Sequence, residues 1–62
     1  MNRVREFRNS LGLSQLELAK KTGVSRQTIN MIENNKYNPT LELCINLALA
    51  LKTDLNTLFW NK

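Results

Sequence analysis

The chain of 62 residues has no histidine, one cysteine, one proline and two glycines, and aromatic residues make up 6% of it. Each scarcity removes a class of protein. With no histidine and a single thiol, Cys44, no Cys/His set can hold zinc and no disulfide can close within the chain. No run approaches the ~20 apolar residues of a membrane span, and the opening MNRVREFRNS lacks the apolar stretch of a signal peptide. A cytoplasmic protein is expected. There is no glycine-rich phosphate loop and no pair of carboxylates on a shared inner face, so an enzyme is not expected. Nothing implies a cofactor, a metal or a small-molecule ligand. The length allows one domain, spanning 1–62, which buries only about 60% of its unfolded surface.

Charge is unevenly placed. Up to Lys36 there are seven basic residues against three acidic ones, which is the whole excess of +4. From Tyr37 onward Lys52 and Lys62 are cancelled by Glu42 and Asp54. A basic half is the electrostatic footprint of a polyanion binder, and it also serves solubility.

The apolar pattern predicts five helices and no strands, because Val, Ile and Thr never alternate with period two. The first helix is expected from about Asn2 to Leu11, with Val4, Phe7 and Leu11 on one face and Gly12 stopping it. Ser14 and Glu17 form a capping box at the head of a second helix, Gln15 to Lys21, in which Leu16 and Ala19 are expected to face inward. Thr22-Gly23-Val24 breaks the pattern, and Ser25 caps a third helix from Arg26 to about Asn34. Two helices joined so tightly must cross steeply. That is the helix-turn-helix arrangement, here over 14–35, which can place its second helix in a DNA major groove. Thr40 caps a fourth helix, Leu41 to Leu51, with an expected inner stripe of Leu41, Cys44, Leu47, Ala48 and Leu51. Asp54 caps a short fifth helix ending near Phe59.

At about 100° per residue the third helix divides into two faces. With Ile29 at zero and Ile32 near 300°, the opposite side holds Gln27, Asn34, Asn30 and Met31, all between about 100° and 200°. Arg26 lies in the first turn, where its length carries it past the helix end. Glu33, near 40°, belongs to the core side.

The run LGLSQLELAKKTGVSRQTINMIENNKYNP, followed by LEL, LALAL and LNTLF, closely resembles the Cro/repressor-type helix-turn-helix family. The likeness extends from the first helix to Phe59. It implies an all-α, five-helix, lambda-repressor-like DNA-binding domain, binding a palindromic double-stranded operator as a homodimer and acting as a repressor. Carried over position by position, it implies base reading by Arg26, Gln27, Asn30 and Met31. It implies sugar-phosphate contacts for Ser14, Gln15, Thr28, Asn34, Lys36 and Tyr37, and a structural ion pair between Arg8 and Glu33.

Alternatives stand beside these roles. Arg26 suits guanine O6/N7 or a phosphate, and Gln27 suits adenine N6/N7 or a phosphate. Asn30 suits a base or solvent. Met31 offers only an apolar contact, such as a thymine methyl, or serves as a partly exposed core residue. Arg3, Arg5, Lys20 and Lys21 are expected to be solvated, with phosphate as the other reading for Arg5. Cys44 is expected to be a small core residue. Beyond its inner stripe the fourth helix carries Leu43, Ile45 and Leu49, and the chain closes with Phe59 and Trp60. Such surplus apolar surface predicts a dimer contact within 52–62, with Leu55, Phe59 and Trp60 joined by Asn38. The competing function is a protein-interaction module, an antitoxin or anti-regulator, in which DNA binding is secondary.

Overall fold

The computed structural model describes residues 2–60. Four α-helices follow one another: α1 (Val4–Ser10), α2 (Gln15–Thr22), α3 (Arg26–Glu33) and α4 (Leu41–Ala50). A final π-wound turn, α5, covers Asn56–Trp60, and no strand occurs among the described residues. Each start has a side-chain cause. Ser14 accepts the Glu17 N–H while Glu17 takes the Ser14 N–H, at 3.0 and 2.8 Å. Ser25 accepts from the Thr28 N–H, Thr40 from Leu43, and Asp54 from Thr57.

All four α-helices stop by the same device. The N–H of Leu13, Val24, Lys36 and Thr53 reaches back to the carbonyl of Arg8, Ala19, Met31 and Ala48, at 2.8–3.1 Å. This closure is the Schellman motif, and it requires a left-handed residue just before the donor. Those residues are Gly12, Gly23, Asn35 and Lys52, with φ between 57° and 75°. Glycine and asparagine adopt that conformation readily; a lysine does so at a cost of about 1 kcal/mol. Lys52→Gly should therefore raise stability by about 0.5–1 kcal/mol, read as a higher urea midpoint at unchanged slope.

The buried core is Val4, Leu18, Ala19, Ile29, Ile32, Leu43, Leu47, Ala48, Leu51 and Leu58. α2 packs against both α3 and α4, and α1 against α3. The structure departs from the sequence pattern at three places. Leu16 is 49% exposed, and α2 instead buries Leu18, Ala19 and Thr22. Burial of Thr22 is tolerated because its hydroxyl bonds to the Leu18 and Ala19 carbonyls of its own helix. In α4 the stripe turns by one step: Leu43 is buried, Leu41 is 63% exposed and Cys44 is only half-buried. α4 is apolar on nearly every side, so periodicity could not choose between the two stripes. Leu11, expected on the inner face of α1, lies beyond the last helical turn and is exposed.

The two ends of the fold are joined through backbone. The Arg3 N–H donates to the Leu58 carbonyl at 2.9 Å, and Asn2 caps α1 through the Val4 N–H. The amide of Asn2 also donates to the Ile32 carbonyl at the end of α3, at 2.8 Å. The C-terminal end of α3 is thus tied to the start of the chain.

Candidate nucleic-acid interface

The polar face of α3 begins with two requirements, a helix that does not rotate and side chains that stay in water. Ile29 and Ile32 are fully buried and set the rotation. Glu33 fixes the helix end. Its side chain is 0% exposed, and it accepts from Arg8 Nε at 2.6 Å, Gln15 Nε2 at 3.1 Å, and Arg8 Nη2 and Arg5 Nε at 3.3 Å. The Arg8 side chain, 12% exposed, also donates to the Leu13 carbonyl. One carboxylate therefore ties α1, α2, α3 and the α1–α2 connection together. Burial alone would push the Glu33 carboxyl upward, but the hydrogen bonds from Arg8, Gln15 and Arg5 outweigh it and hold its pKa below the usual value.

Three exposed carboxyls share that direction. The Arg3 guanidinium lowers Glu6, the Ser14 N–H lowers Glu17, and the Thr57 N–H lowers Asp54. A carboxyl depressed in the folded state adds stability above its unfolded pKa, near 4, and that contribution is lost as pH falls through the folded value. Stability should therefore be level from about pH 5 to 7 and drop below about pH 4. Chemical denaturation at pH 7, 5 and 3 checks this; a midpoint unchanged at pH 3 would contradict it.

On the outward side Arg26, Gln27 and Asn30 are exposed, and Met31 is half-buried. Asn34 is exposed, but its amide donates to the Asn30 carbonyl at 2.8 Å and its oxygen accepts from Arg5. Thr28 is half-buried, sharing a hydrogen bond with the Ser25 hydroxyl at 2.9 Å. Lys36 and Tyr37 are exposed in the loop after α3. Gln15 is half-buried at the head of α2, with one amide hydrogen engaged by Glu33. Ser14 is exposed, but its N–H is already taken by Glu17. The amides of Gln15 and Leu16 are then the ones in that turn left for an anion.

The charge picture narrows. Arg3 is not merely solvated: it pairs with Glu6 and lies 5.0 Å from the centre of the Phe7 ring. Arg5 is drawn to Glu33 and Asn34. Two of the three N-terminal arginines are thus spent on the buried Glu33, whereas Arg26 and Lys36 form no ion pair among the described residues. Sequence reasoning missed Arg5 and Asn2 as braces. No spacing rule connects them to α3, and only the packing of α1 against it does.

The C-terminal contact residues fall along one groove. Asn38, Phe59 and Trp60 line it with Asn2, Asn35 and Leu41, enclosing about 410 Å³. Trp60 is 57% exposed, while Leu55 is half-buried against the core. The last two residues of the expected 52–62 contact lie outside the described residues.

Comparison with known proteins gives a consistent relationship. Residues 4–58 match the helix-turn-helix family HTH_3. Over 57 residues the chain is 47% identical to an HTH-type transcriptional regulator of Archaeoglobus fulgidus, covering 92% of this chain and 81% of that protein. The restriction-modification controller protein C.AhdI from Aeromonas hydrophila has a similar structure, with a TM-score of 0.86 and 37% identity over 92% of this chain and 86% of that one. SinR, the Bacillus subtilis regulator solved in complex with DNA, gives a TM-score of 0.81 at 30% identity, covering 89% of each chain. Among the described residues no helix is long and apolar enough to cross a membrane, and no cluster of potential metal ligands occurs. The chain belongs to the Cro/repressor-type helix-turn-helix family of DNA-binding transcriptional regulators.

Proposed function

We propose that this protein is a cytoplasmic repressor that binds a two-fold symmetric operator as a homodimer. The observation that carries the reading is the division of α3: Ile29, Ile32 and Glu33 buried, Arg26, Gln27 and Asn30 exposed. In this reading α3 enters the major groove. Arg26 and Gln27 read base edges, Asn30 and Met31 add the next turn, and Met31 supplies only an apolar contact. Ser14, Gln15, Thr28, Asn34, Lys36 and Tyr37 hold sugar-phosphate and set the register. Repression follows from occupying promoter DNA.

Dimerisation is assigned to the groove of Asn38, Leu41, Phe59 and Trp60, together with Leu55, which is partly buried against the core. A two-fold pair presents both copies of α3 to successive major grooves, about 34 Å apart on one face of the duplex. Selection of bound sites from a random duplex pool tests the reading. A symmetric consensus with half-site centres about 10 base pairs apart is expected. A pool without enrichment would instead favour the protein-interaction module. Trp60→Ala should weaken the dimer about tenfold or more, as removal of a central aromatic anchor does. Sedimentation measures that shift, and an unchanged dimer would place the interface elsewhere.

A further inference from the structure

One part of the apolar surplus belongs neither to the face of α3 nor to the C-terminal groove. Leu49, on the outer side of α4, is 72% exposed, the highest value among the large apolar residues described. It lines a shallow groove of about 360 Å³ together with Lys21 and Ala50. A second groove, of about 150 Å³, is lined by Leu11, Leu13, Lys21, Ala50 and Lys52. Because Lys21 and Ala50 line both, the two form one surface where the ends of α1, α2 and α4 meet. Its apolar part is Leu11, Leu13, Leu49 and Ala50, with Asn46 beside Leu49; both charged residues lining it are lysines, and no carboxylate lines either groove.

Neither Lys21 nor Lys52 forms a close ion pair among the described residues, although the charge of Lys21 acts on Glu17 one turn earlier in α2. The carboxylates nearest in sequence are occupied as helix caps, Glu17 on Ser14 and Asp54 on Thr57. Lys52 moreover occupies a left-handed position, φ 57°, where two of the three equivalent helix ends carry glycine. A charged side chain is thus held there against a backbone preference.

We propose that this surface docks an acidic amphipathic helix of another protein, with aliphatic side chains over Leu11, Leu49 and Ala50 and carboxylates on Lys21 and Lys52. An apolar floor bracketed by two unpaired cations is complementary to that chemistry, and the cations select against basic or neutral helices. None of these residues belongs to the proposed DNA-contacting set or to the dimer groove. A regulator bound to DNA as a dimer would therefore still present the surface, one copy per subunit, to a protein partner.

The test is a titration of the full chain, isotopically labelled, followed by amide chemical shifts. The probe is a synthetic helical peptide with leucines spaced i, i+4 on one face and flanking glutamates. Saturable shifts are expected at Leu11, Lys21, Leu49 and Ala50, and they should persist with duplex DNA present. Leu49→Ala should weaken binding about tenfold. Lys21→Ala and Lys52→Gly should each weaken it about two- to fivefold. Lys52→Gly is the sharper variant, because its fold should be more stable than the parent's. The same peptide with lysines for glutamates should not saturate. Equal binding of both peptides, shifts centred on Phe59 and Trp60 or on α3, or no saturable shifts would each overturn the proposal.

Discussion

Glu33→Ala should remove about 3–5 kcal/mol of stability, the largest loss expected from any single substitution considered. The reason is what remains behind. Arg8 would keep its place at 12% exposure, bonded to the Leu13 carbonyl, with no carboxylate in reach. An uncompensated buried cation is far more destabilising than the intact pair is stabilising. At roughly 0.05–0.15 kcal/mol per residue, a chain of this length holds only about 3–9 kcal/mol in total. The variant should melt at least about 12 °C lower and be substantially unfolded at 37 °C. Replacing both partners by apolar residues, Arg8→Met with Glu33→Leu, should recover most of the loss, since no orphaned charge remains. Thermal melts followed by circular dichroism give all three values. A Glu33→Ala protein within about 1 kcal/mol of the parent would mean that the cluster is not desolvated as described.

The second large effect concerns recognition. Arg26→Ala should weaken binding to the selected operator by about 1–3 kcal/mol and relax preference at one base pair. Its effect on random duplex should be much smaller, because a bidentate contact to guanine exists only on the correct sequence. Lys36→Ala should behave differently. A phosphate contact is present on every sequence, so affinity should fall alike for operator and random DNA, and the salt slope should drop by about one unit. The contrast separates the two cations. Equal losses on both DNAs for Arg26→Ala would reassign it to the phosphate backbone.

Much of the fold was legible because helix starts and stops are written locally. Ser14, Ser25, Thr40 and Asp54 each cap the helix they precede, and Gly12 and Gly23 mark two of the four stops. Of the other two stops, Asn35 is a residue that takes the left-handed conformation readily, whereas Lys52 uses the same geometry with nothing in its residue type to signal it. The face of α3 was legible because its apolar residues lie on one side only. α4 was not, since leucines, isoleucine and alanines surround it and tertiary packing alone selects Leu43 over Leu41. α2 misled for a different reason: a threonine that satisfies its own hydroxyl can replace a leucine in the core. The short last segment reads as a helix with an Asp54 cap, but so few residues carry no trace of its π winding.

The charge count was legible only in its sum. The N-terminal arginines add to the net positive charge, yet Arg5 and Arg8 are drawn to Glu33. They contribute by holding α3 rather than by facing a ligand. The candidate site is consequently a helix made rigid from behind, with neutral hydrogen-bonding groups in front and few free cations beside it. Such a face is suited to discriminating sequences more than to gripping any polyanion.

The most direct measurement of that idea compares affinity of the intact protein for its selected duplex and for a scrambled duplex of equal length and composition, at about 150 mM salt. A ratio of at least about 10³ in favour of the selected duplex is expected, in the range of specific protein–DNA complexes. Equal affinities for the two duplexes would mean that the exposed face of α3 reads no sequence.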